Sequence, residues 1–109
     1  MEHRYGEFTQ EQIAETKEKM RKQIFFLLLI ADPVNAEEYD NVDINEAFQN
    51  ILKEFGGLND LLNYPQELVD VLSLVNAAKI EFNSRNYNWK TYRKLILDAG
   101  NKVLQIKEV

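Results

Sequence analysis

The chain has 109 residues, 45% of them apolar and 28% charged, with no cysteine and a single histidine. That length suits one domain around one core. The missing cysteines exclude disulfides, thiolate zinc sites and cysteine nucleophiles, and leave the redox compartment undecided.

The net charge of −5 is unevenly spread. Residues 1–31 are balanced, residues 32–70 hold ten acids against one base, Lys53, and residues 71–109 carry a net +4. Like charges gathered on one surface repel each other and attract a basic partner at longer range. The first twenty residues carry Glu2, Glu7, Glu11, Glu15 and Glu18 and no apolar stretch of the kind a secretory signal needs. The apolar run 24–31 falls well short of the roughly 20 residues that span a membrane. A cytoplasmic location with no membrane contact is the expectation.

Residues 1–8 read as an N-terminal arm, with His3 as a solvated surface histidine. Thr9-Gln10-Glu11-Gln12 is a capping box, and Phe8 stands where a hydrophobic staple would reach Ile13. A first helix is therefore expected at about 10–31. Ile13, Met20, Ile24, Leu27 and Ala31 follow helical spacing, and Glu15/Lys19 and Glu18/Lys22 are i,i+4 pairs in the favourable order. Its second half, Ile24-Phe25-Phe26-Leu27-Leu28-Leu29-Ile30, has no polar residue and is expected to be covered on all sides. Asp32-Pro33 ends the helix, because a residue before proline is pushed out of the α region.

Residues 32–42 form an acidic connection without a base. A calcium loop starting at Asn41 would need glycine at Glu46 and a bidentate glutamate at Leu52, so the EF-hand reading fails. A second capping box, Asp43 with Glu46, opens a helix at about 44–55. Its apolar face is Ile44, Ala47, Phe48, Ile51, Leu52 and Phe55, and Gly56-Gly57 are expected to close it as a left-handed cap. Residues 58–63 read as a short extra helical turn. Pro65 suits the first position of a third helix, about 65–82. Its apolar residues cover more than one face, so helices 1 and 3 are expected at the centre. Asn88 caps a fourth helix, about 89–107. Trp89, Tyr92, Ile96, Ala99, Val103 and Ile106 make a heptad seam. Gly100 in its interior suggests a close crossing or a kink.

These elements predict an all-α single domain: a four-helix antiparallel bundle with a short extra turn. Catalysis has little to work with, since a Ser-His-Asp triad would have to recruit the arm. No catalytic residue, cofactor or metal is expected. Two surfaces remain. The first is acidic: Asp32, Glu37, Glu38, Tyr39, Asp40, Asp43 and Glu46. An aromatic set among acids suits a basic protein partner, with charge steering the approach. The function expected is a non-catalytic protein-interaction module, in the form of an inhibitor or immunity-type protein that blocks a nuclease or toxin. The second surface is basic and aromatic: Arg85, Tyr87, Lys90, Arg93 and Lys94, beside Trp89 and Tyr92. Bases interleaved with aromatics suit phosphate contact and base stacking, although the net negative charge opposes nucleic-acid binding. The alternative function is thus nucleic-acid binding, or a structural subunit that self-associates through the helix 4 seam.

Overall fold

The computed structural model describes the backbone at residues 2–3, 6–7 and 9–106. Ahead of the helices, β1 (Glu2–His3) and β2 (Gly6–Glu7) pair as a minimal antiparallel ribbon, with Glu2 opposite Glu7. The surroundings expected for the His3 side chain and the Phe8 staple lie outside the described residues. Helix α1 spans Gln10–Ala31, and both arms of its capping box form. Gln12 donates its N–H to the Thr9 hydroxyl at 3.0 Å, and the Thr9 N–H donates to the Gln12 side chain at 2.9 Å.

Helix α2 (Ile44–Leu61) starts where expected, with the Asp43 carboxylate accepting from the Glu46 N–H at 3.1 Å. It does not stop at Gly56-Gly57, however, and the separate turn expected at 58–63 is mostly its last part. Leu58 and Leu62 continue the apolar face of Phe48, Ile51 and Phe55 and pack against the core. Their burial outweighs two interior glycines at about 1 kcal/mol each. The helix ends further on in a Schellman motif: Tyr64 N–H donates to the Asn59 carbonyl and Asn63 N–H to that of Asp60. Asn63 and Tyr64 both adopt the left-handed conformation, with φ near 60° and 58°. An asparagine thus does the work expected of a glycine.

Helix α3 spans Gln66–Phe82, with Pro65 as its cap and not its first residue. Helix α4 (Trp89–Leu104) starts under the Asn88 cap and ends three residues before its expected limit. The chain then tightens, with Gln105 and Ile106 donating to carbonyls three residues back, and Ile106 tucks into the core.

Each helix runs antiparallel to the next, and α4 returns beside α1. Four cross-links set these directions. Lys17 donates to the carbonyls of Leu104 and Ile106, Tyr92 to that of Leu27, Asn83 to the Asn45 side chain, and Lys102 pairs with Asp70. The result is an up-down-up-down bundle with α3–α4 as its most extensive packing and α1–α2 as its loosest seam. Helices 1 and 3 are therefore not central: every helix occupies one corner of a ring. The core is Met20, Ile24 and Leu27 from α1, Phe48, Ile51 and Phe55 from α2, Leu68, Val71 and Val75 from α3, and Tyr92, Ile96, Ala99 and Val103 from α4. The helix 4 seam residues Tyr92, Ile96, Ala99, Val103 and Ile106 are buried within the bundle. Gly100 is buried against α1, where an added Cβ would meet Ile24 at an ordinary 4.0 Å. The α-helix runs through it without interruption.

A corner position also corrects the reading of the apolar run. A helix with two neighbours is covered over part of its circumference. Ile24, Leu27 and Ile30 face inward, whereas Phe25, Phe26 and Leu29 are 38, 37 and 45% exposed.

Candidate functional site

The antiparallel ring brings the 32–43 and 83–88 connections to the same end of the bundle. They cross opposite edges of it, α1–α2 and α3–α4. Both surfaces expected from the sequence therefore sit at one end, with opposite signs.

On the acidic side, Asp32 caps a 3-10 turn (Pro33–Asn35), accepting from the Val34 N–H at 3.0 Å. Asn35 ties this turn back to α1 by donating its side-chain N–H to the Leu29 carbonyl at 3.2 Å. The chain then folds over so that Tyr39 sets its ring edge-on to Phe26, 6.0 Å between centroids. Asp32 and Asp43 are thus committed to caps, and Tyr39 is half-buried in the packing of the loop. Glu37, Glu38, Asp40 and Glu46 remain exposed. Among the described residues no cation is paired with any of these four.

Sequence reasoning missed the apolar neighbour of this loop. Phe25, Phe26 and Leu29 lie on the outward side of α1, and Val34, 89% exposed, follows in the 3-10 turn. An open cleft of about 380 Å³ runs beside them between α1 and α2, lined by Phe26, Ala47 and Ile51 with Lys22, Gln23 and Asn50 at its rim. The signal was present in the sequence: at 100° per residue, positions 25, 26 and 29 oppose positions 20, 24 and 27. Below the cleft, Glu54 accepts from Gln23 at 2.8 Å and pairs with Lys19 at 3.1 Å. The hydrogen bond from Gln23, with help from Lys19, holds its carboxyl below the usual glutamate range.

On the basic side, Arg85, Lys90, Arg93 and Lys94 are exposed, and Lys94 pairs with Asp98 at 2.9 Å. The aromatic partners are turned on one another. Tyr87 sets its edge to Phe82 at 5.4 Å and to Tyr92 at 6.0 Å, and Trp89 stacks on Tyr92 at 5.9 Å. Tyr92 and Phe48 join the same cluster. Burial, with Glu81 nearby, raises the Tyr87 hydroxyl above the ordinary tyrosine value. The bases therefore stand around rings that are largely committed to closing this end of the bundle.

Asp70 and Asp98 line one open groove between α3 and α4, but each is held by a lysine, Lys102 at 3.4 Å and Lys94 at 2.9 Å. Among the described residues no three histidine, aspartate or glutamate side chains converge as metal ligands. Among the same residues no helix is long and apolar enough to cross a membrane.

Fold and surface define a class: an antiparallel four-helix bundle that carries an acidic loop, an outward apolar face and a basic edge at one end. Compared with protein-family models, curated proteins and solved structures, the chain matches none of them.

Proposed function

We propose that this protein is a non-catalytic interaction module that presents its 32–46 loop to a basic protein partner. The observation that carries the reading is the placement of Glu37, Glu38, Asp40 and Glu46. They stand exposed around Tyr39 and beside an apolar surface, an acidic rim next to area that a partner can bury. An inhibitor or immunity-type role fits this chemistry, since an acidic surface can occupy the nucleic-acid site of a nuclease or toxin. That role rests on charge and size alone.

Affinity capture from native extract, with and without nuclease, tests the reading. A basic protein retained after nuclease is the expected result. Its affinity should fall steeply with salt, and by about tenfold or more when Glu37, Glu38 and Asp40 become Gln, Gln and Asn. Salt-insensitive binding that survives those substitutions would overturn it. Loss of all captured material on nuclease treatment would move the function to the Arg85–Lys94 edge.

A further inference from the structure

The outward stripe of α1 and the turn after it read in three bands. Arg21 and Lys22 come first, then Phe25, Phe26 and Leu29, then the exposed acids Glu37 and Glu38 past the helix end. The apolar band is held open by the fold itself: the opposite side of the same helix supplies Ile24 and Leu27 to the core, so these rings cannot turn inward. Arg21 stands over the Phe25 ring at 5.6 Å, and Lys22 makes a solvent-exposed contact with Glu18 at 3.4 Å. Exposed pairs of that kind contribute little and exchange readily.

A stripe that is basic at one end and acidic at the other has a natural complement in its own reversed copy. A uniformly basic partner would satisfy Glu37 and Glu38 but would meet Arg21 and Lys22 with like charge. We infer that a second copy of this chain packs on the outward face of α1, antiparallel about a two-fold axis near Leu29. Leu29 meets Leu29 at the axis, and Phe25 and Phe26 of each copy lie over Leu29 and the exposed Val34 of the other. Arg21 and Lys22 of each copy face Glu37 and Glu38 of its partner, and the symmetry makes that match twice. This interface goes beyond the proposed function and shares two of its acids, so a basic partner and the second copy compete for the loop.

Sedimentation equilibrium of the full chain tests this. The wild type should approach twice the chain mass as its concentration rises, and Leu29→Glu should stay monomeric with an unchanged helical circular-dichroism spectrum. Charge reversal gives the sharper arm. Arg21→Glu with Lys22→Glu makes one variant, and Glu37→Lys with Glu38→Lys makes the other. Each alone should dimerise about tenfold or more weaker than wild type, while an equimolar mixture should form the heterodimer. A wild type that stays monomeric up to about 1 mM overturns the inference. A dimer that survives Leu29→Glu places the contact elsewhere and also overturns it, as does a mixture that fails to associate. None of these results bears on capture of a basic partner, which is scored separately.

Discussion

The Tyr92 hydroxyl is buried and donates to the Leu27 carbonyl at 2.6 Å across the α1–α4 seam. Desolvation, with Tyr87 close by, holds its ionisation well above the ordinary tyrosine value. In the unfolded chain the same group ionises near pH 10. Above about pH 10 the unfolded state therefore loses a proton that the folded state keeps, and stability falls as pH rises. Tyr92→Phe should cost about 1 kcal/mol at neutral pH through the lost hydrogen bond, while flattening the decline on the alkaline side. Urea denaturation at neutral pH and again above about pH 10 separates the two effects. The burial of Tyr92 was legible in the Trp89–Ile106 seam. Its acceptor was not, because Leu27 is 65 residues away and only the closure of the ring brings it near.

Among the helices, α2 carries the most informative departure from local rules. Gly56 and Gly57 are interior to it, and a Cβ at either position would meet nothing within 4 Å. Replacing both with alanine should stabilise the bundle by about 1–2 kcal/mol, read as a higher urea midpoint at constant slope. A loss of stability would show that the glycines serve the fold in some way their surroundings do not reveal. Helix starts were readable from Thr9, Asp43 and Asn88, because a capping side chain acts within its own turn. The end of α2 was not. Two glycines gave the local stop signal, and it yielded to burial of Leu58 and Leu62 against other helices. The same logic governs the run at residues 24–30, whose composition announced burial but whose exposed half depends on how many neighbours α1 has. Thus the acids of the candidate site could be listed from sequence, while the apolar face beside them needed the packing.

Across the whole molecule, the ring topology gathers Glu37, Glu38, Asp40 and Glu46 at the α1–α2 edge, where no cation among the described residues pairs with them. Their mutual repulsion is a standing cost that salt relieves. The melting temperature should rise by a few degrees between about 0.01 M and 0.15 M sodium chloride. The rise should shrink when Glu37, Glu38 and Asp40 become Gln, Gln and Asn; an unchanged rise would mean that this group is not its source. The topology has a second electrical effect. Antiparallel neighbours cancel their helix dipoles pairwise, but the acids on one edge and the bases Arg85, Lys90 and Arg93 on the opposite edge do not cancel. These two edges contribute a dipole component that lies across the bundle. In a charged partner's field the molecule experiences a torque before it experiences contact. In dilute salt it would arrive already rotated, leading with whichever edge opposes the partner's sign.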